Sequence, residues 1–214
     1  MLVVSITLKM NLTSGKTPID KVILGIDPGT NVMGYGVLHI TEGKPHLLVM
    51  GVLELKKFES HYLRLRRIYE RVQGLIDQYH PDDLAIESPF VGINPASLIK
   101  LCRAQGVAMA AAVERDVPIF EYAPTKIKIS ITGNGGSAKE QVKAMLQNIL
   151  KIADDDMNKR LDASDALAVA LCHYYETCRV IPSTKPGGRS TWSSGTAKTS
   201  WADFARKNQD RIRK

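Results

Sequence analysis

The stretch Ile23-Leu24-Gly25-Ile26-Asp27-Pro28-Gly29-Thr30 restricts this chain more than any other. A short apolar run leads into a carboxylate, and a Pro-Gly turn follows at once. An apolar run closed by turn residues reads as a buried strand. Pro28 and Gly29 end it, Pro by pre-setting one turn dihedral and Gly by admitting a positive one. Asp27 therefore stands at the exit of a buried strand, where a carboxylate is costly unless something pairs with it. Gly34-Tyr35-Gly36-Val37-Leu38 reads as the returning strand, with Asp27 at the mouth of the hairpin. Alone, such an Asp is most simply a turn residue bonded to its own backbone. The rest of the chain changes that reading.

Strands are expected at 22–27, about 34–40 and 47–55, three hairpin-connected runs that make an antiparallel meander. The period then changes. Leu65, Ile68, Tyr69, Val72, Leu75, Ile76 and Tyr79 recur every three or four residues, which is an amphipathic helix. Arg64, Arg67 and Arg71 fall on another of its faces and read as a solvated stripe. Leu84-Ala85-Ile86-Glu87 is a fourth, short strand that repeats the first: apolar residues, a carboxylate, then Ser88-Pro89. Asn94-Pro95 caps a helix over 96–114, whose small residues let the sheet or a second subunit approach closely. A fifth strand at 117–121 starts at Pro118 or lies at an edge. Beyond Pro124 come Lys126, Lys128 and a Gly-rich loop. A capping box at Ser137 and Glu140 then opens a helix with Val142, Met145, Leu146 and Ile149 on its apolar face. Asp154, Asp155 and Asp156 read as an exposed acidic loop. A last helix begins near Asp162.

Asp162 and Asp165 are three residues apart, hence on one helical face. As a cap and a first-turn acid they have an ordinary structural role. Their helix, however, is apolar nearly all round through Ala166-Leu167-Ala168-Val169-Ala170-Leu171, so it is buried. An acidic end on a buried helix needs a counter-charge. If strands one and four are parallel neighbours, Asp27 and Glu87 lie side by side. Four carboxylates brought together cannot all ionise without cations among them. Hard oxygen ligands of this kind suit Mg²⁺, and two such ions about 3.5–4 Å apart can open a phosphodiester.

The net charge of +7 is unevenly placed. Residues 179–214 hold nine Lys and Arg against two Asp, and the rest of the chain is neutral. Past Val180 the composition turns to Pro, Ser, Thr, Gly and Lys without apolar period. The expected organisation is a weakly specified lead-in at 1–20, one domain at 21–180, and a basic, largely disordered tail at 181–214. Such a tail either contacts an anionic polymer or only solubilises the chain. Met10 is an alternative start. No basic lead-in precedes residues 1–8, and no apolar run approaches a membrane span, so a cytoplasmic protein without membrane contact is expected. Cys102, Cys172 and Cys178 form neither a disulfide framework nor a zinc pattern.

Ile23 to Thr30 with Gly34-Tyr35-Gly36, Ala85-Ile86-Glu87, Phe120-Glu121-Tyr122-Ala123 and Asp162-Ala163-Ser164-Asp165-Ala166-Leu167-Ala168 resemble the RuvC family, the bacterial Holliday-junction resolvases. The resemblance runs in order and spacing from about 22 to 173. It implies an RNase H-like α/β fold, a mixed five-stranded sheet flanked by helices. It also implies a homodimer that makes paired, Mg²⁺-dependent nicks in four-way junction DNA during recombination and repair. The family's four metal-binding carboxylates fall on Asp27, Glu87, Asp162 and Asp165. Two Mg²⁺ per site follow, with Mn²⁺ as a substitute. The junction-contacting aromatic falls on Phe90, two functional lysines fall on Lys128 and Lys139, and RuvA and RuvB are the implied partners. Ser88-Pro89, between Glu87 and Phe90, departs from the family's pattern. The opening motif is shared with actin-like ATPases and sugar kinases, but those need a second phosphate loop, and none is seen here.

Overall fold

The computed structural model describes residues 20–89, 94–153 and 161–177, apart from the side chains of Leu161 and Asp162. These residues all fall within Met1–Arg179, the first of two units, the second being Val180–Lys214. The lead-in at 1–19, Phe90, the acidic loop at 154–156, Cys178 and the basic tail lie outside the described residues.

Strands β1 (Lys21–Asp27), β2 (Val32–Thr41) and β3 (Lys44–Glu54) form the expected meander, with β2 and β3 longer than their apolar runs. Helix α1 (His61–Tyr79) follows, then β4 (Asp83–Glu87), α2 (Pro95–Val113) and β5 (Ile119–Tyr122). Helices α3 (Pro124–Thr132), α4 (Lys139–Leu150) and α5 (Leu161–Thr177) complete the described chain. The sheet order is β3-β2-β1-β4-β5, and β1–β4 and β4–β5 are parallel. Parallel neighbours need a crossover, which α1 supplies between β3 and β4 and α2 supplies between β4 and β5.

Alternation along β1 sorts the core into two layers. Leu24 and Ile26 face α1 and α2, together with Val37, Leu84 and Ile86. Ile23, with Leu38 and Ala85, faces α3, α4 and α5. Residues of the same parity in β1 and β4, Asp27 and Glu87 among them, belong to that second face. Helix α5 lies against β1 and β2 at close range. A Cβ added at Gly25 would collide with the Ala166 carbonyl and the Ala170 side chain, and one at Gly36 would strike Leu167. Its residues from Ala166 to Cys172 are buried.

Three local readings change. The arginine stripe of α1 is solvated only at Arg67. Arg64 bonds three acceptors in the chain, Arg67 pairs with Glu70 (2.7 Å), and the Arg71 guanidinium lies 4.5 Å over the Tyr35 ring and bonds its hydroxyl. The capping residue of α4 is Ala138, whose N–H donates to Gln141 Oε1 (3.0 Å), while Ser137 Oγ bonds Thr132 Oγ1 (2.8 Å). Helix α3 was not anticipated at all. As for α2, its length and composition would let it cross a membrane. Here its small residues Ala104, Ala108, Ala111 and Ala112 are buried, and the helix packs on α1.

Candidate active site

Pairing of Ile26 with Ile86 in the parallel β1–β4 ladder leaves Asp27 and Glu87 at adjacent strand exits. The close approach of α5, allowed by Gly25 and Gly36, brings Asp165 in its first turns over the same edge. Asp162 is on the first turn of that helix, and its side chain lies outside the described residues. From the other flank, α3 contributes Lys128 and the start of α4 contributes Lys139. Asp27, Glu87, Asp165, Lys128 and Lys139 line one cleft of about 260 Å³, walled by Pro124, Ile127, Val142 and Ala168. A smaller recess of about 140 Å³ opens beside it, sharing Asp27, Glu87 and Pro124 and bounded by Pro28, Ser88, Pro89 and Leu101.

The cleft's charges act on one another. Burial, and then the Asp165 carboxylate, push the Glu87 pKa up to about 7, against the pull of Lys139 and Lys128. Lys139 Nζ donates to Asp165 Oδ2 at 2.7 Å. That hydrogen bond, with Asp27 and Glu87 adding attraction, raises the Lys139 pKa. An ammonium thus sits where a cation is wanted. Among the described residues no three Asp, Glu, His or Cys side chains gather closely enough to hold an ion by themselves.

The turn that follows Asp27 is held from outside the cleft. Arg64 Nη1 donates to Thr30 O (3.0 Å) and Asn31 Oδ1 (3.0 Å), and its Nε donates to Phe58 O (2.9 Å). The Asn31 carbonyl accepts from Leu55 and Lys56 N–H. Sequence reasoning missed this role for Arg64. The signal for it was the position of Arg64 just inside a capped helix start, where a long donor can reach back over the preceding loop. Lys126, the other lysine near Lys128, pairs with Glu176 (2.7 Å).

A family model described as crossover junction endodeoxyribonuclease RuvC matches residues 23–173. A protein of that name from Porphyromonas gingivalis is 50% identical over 92% of this chain and 100% of its own length. One from Bacteroides fragilis is 51% identical over 91% of this chain and 97% of its own length. Among solved structures, Thermus thermophilus RuvC in complex with Holliday junction substrate superposes with a TM-score of 0.67 and 32% identity, covering 73% of this chain and 94% of that one. The yeast mitochondrial Holliday junction resolvase Ydc2, at 16% identity and a TM-score of 0.56, covers 75% of this chain and 80% of its own and shares the fold. By the family match and by relatives that align over nearly its whole length, the chain belongs to the RuvC family of crossover junction endodeoxyribonucleases.

Proposed function

We propose that the chain resolves four-way DNA junctions by paired, symmetric, Mg²⁺-dependent nicks through two-metal phosphodiester hydrolysis. The observation that carries this reading is the meeting of Asp27, Glu87 and Asp165 with two lysines in one cleft. The donors are all hard carboxylate oxygens, which suit Mg²⁺ or Mn²⁺. The Lys139 ammonium against Asp165 marks where positive charge is stabilised. Asp27, Glu87, Asp162 and Asp165 would hold the ions, with substrate oxygens completing the shell. Two bound ions supply Lewis acidity to the phosphodiester and lower the pKa of the attacking water.

The chain's own residues do the rest. Lys128 and Lys139 draw a strand phosphate to the carboxylate edge. Release of Lys139 from Asp165 frees that carboxylate and gives the ammonium to the phosphate, a charge-assisted contact. Phe90 would stack on an unpaired base at the junction centre, a contact worth roughly 1–3 kcal/mol. Phe90→Ala should then suppress cleavage with little change in melting temperature, whereas a large drop in melting temperature assigns Phe90 to the core.

Two nicks related by symmetry call for two sites, and a twofold homodimer supplies them. Helix α2 supports this assembly. Ile99 (53% exposed), Cys102, Gly106, Ala110 and Val113 (64%) leave a small-residue and apolar stripe on its outer face. RuvA and RuvB are the expected branch-migration partners, in the cytoplasm. The deciding experiment is a gel assay of a mobile four-way junction beside a linear duplex, with Mg²⁺ and with chelator. Paired nicks in the junction alone, and only with the ion, are expected. Equal cleavage of both substrates, or cleavage in chelator, removes the reading.

A further inference from the structure

Toward the end of the sheet away from the cleft Lys21, Asp83 and His173 meet, and Tyr122, whose backbone pairs with Glu87, reaches its hydroxyl to them. His173 of α5 is fully buried, and its Nε2 lies 2.6 Å from Asp83 Oδ2 on β4. Its Nδ1 lies 2.7 Å from the Tyr122 hydroxyl on β5. Lys21 of β1 closes the cluster with an ion pair to the same Asp83 oxygen. Burial lowers the His173 pKa, with Asp83 opposing. A neutral imidazole satisfies the geometry: Nε2–H donates to Asp83 and Nδ1 accepts from Tyr122.

Three of these residues share an element with a carboxylate of the cleft: Lys21 with Asp27, Asp83 with Glu87, and His173 with Asp165. The spans agree. Four strand residues from Asp83 to Glu87 rise about 13 Å, and eight helical residues from Asp165 to His173 rise about 12 Å. The cluster and the cleft are therefore two rungs joining the same β4 and α5.

A second rung adds a polar constraint to the register that the apolar contacts of α5 set. In a one-turn slide Leu171 would replace Leu167 at Gly36, whereas Tyr174 would replace Ala170, whose side chain meets Gly25. That slide, about 5.4 Å, would put Val169 where Asp165 belongs and Thr177 where His173 belongs. The carboxylate would leave the cleft. Tyr174 at Gly25 opposes the slide by overpacking, and Asp83, buried and stripped of its His173 donor, opposes it by lost hydrogen bonding. We propose that Lys21, Asp83, His173 and Tyr122 form a register lock, a set of positioning residues that holds α5 where Asp165 meets Asp27 and Glu87. The proposal rests on the metal-site reading above.

The test uses the full chain with Lys21→Met, Asp83→Leu and His173→Phe combined. Replacing a whole buried ionic cluster by apolar groups of similar size keeps folding, whereas removing one partner does not. Wild type should gain melting temperature with Mg²⁺, because the ion binds only the folded site. The triple variant should lose that gain, need at least tenfold more Mg²⁺ for half-maximal nicking, and bind junction as wild type does in chelator. His173→Gln, whose amide donates to Asp83 and accepts from Tyr122, should restore the Mg²⁺ response. Should the triple variant melt low, His173→Leu read well below its own transition gives the same comparison with His173→Gln. A wild-type Mg²⁺ shift and requirement in the apolar variants overturns the lock while leaving the metal site standing. A wild type that nicks junctions without any Mg²⁺ response overturns both.

Discussion

Crowding three carboxylates round one cleft shows most directly in Glu87, whose pKa is pushed up to about 7 by burial and by Asp165. Its folded value lies above the unfolded one, so Glu87 contributes stability that is complete below the ordinary carboxylate range and lost as pH rises through about 7. In chelator, the wild-type melting temperature should therefore fall relative to that of Glu87→Gln as pH rises from about 5 to about 7.5. Mg²⁺ should reverse the trend, because a metal ligand must be deprotonated. Scanning calorimetry of both proteins at these pH values, with and without the ion, checks this, and identical slopes remove Glu87 as the source. Asp27→Asn, Glu87→Gln and Asp165→Asn each take a carboxylate from the cleft and keep its shape, and Asp162→Asn takes one from the proposed metal-binding set. Each should slow nicking at saturating Mg²⁺ by at least about a hundredfold. Junction affinity should hold or rise, since less negative charge faces the phosphates. Normal nicking by any one variant removes that residue from the set. Asp27, Glu87 and Asp165 were legible because strand-exit and helix-start acids are rare in apolar surroundings. The ion pair of Lys139 with Asp165 was not, since it joins two helices whose contact no local pattern states.

At the scale of elements, the meander and its parallel continuation could be read from alternation and turn residues, and α3 could not. Ile127-Lys128-Ile129-Ser130-Ile131 alternates as a strand does, yet it is helical. Pro124 fits the first helical turn, Ile127 and Ile131 are buried four residues apart, and Ile129 is left 47% exposed. Tertiary packing chose the period there, and with it the placement of Lys128 in the cleft. Arg64 is the other element-level feature, tying α1 to the β1–β2 and β3–α1 loops. Arg64→Ala removes hydrogen bonds from a charged donor, each worth about 1.5–3 kcal/mol. It should lower the melting temperature and reduce kcat more than junction affinity, because the loop it holds begins at Asp27. Arg64→Lys should recover only part, as an ammonium lacks the fork that reaches Thr30, Asn31 and Phe58 together. Equal losses in kcat and affinity would place Arg64 at the DNA instead.

For the whole molecule, the outer stripe of α2 gives a clean handle on assembly. A Cβ at Gly106 meets nothing within 4 Å, so Gly106→Arg should leave the fold and melting curve of a single subunit intact. It should shift sedimentation from dimer to monomer and uncouple the two nicks of one junction. A dimeric Gly106→Arg protein moves the interface elsewhere. The basic stretch at 181–214 is expected to add phosphate contacts without selecting junction shape. If it neutralises about three phosphates, truncation after Val180 should lower the salt slope by about 2.7, or roughly fortyfold in affinity between 50 and 200 mM salt. Equal slopes with and without the tail would assign it another role.

The placement of α5 also bears on when the protein becomes hazardous during its own synthesis. Asp27 and Glu87 leave the ribosome early, but Asp162 and Asp165 belong to the last described helix. At roughly 5–20 residues per second, the interval between Asp27 and Asp165 is on the order of ten seconds. Until Asp162 is made, the growing chain holds at most half of the four carboxylates proposed for cutting DNA. A nuclease whose carboxylate set is completed only near residue 165 stays harmless through most of its synthesis beside nucleic acid.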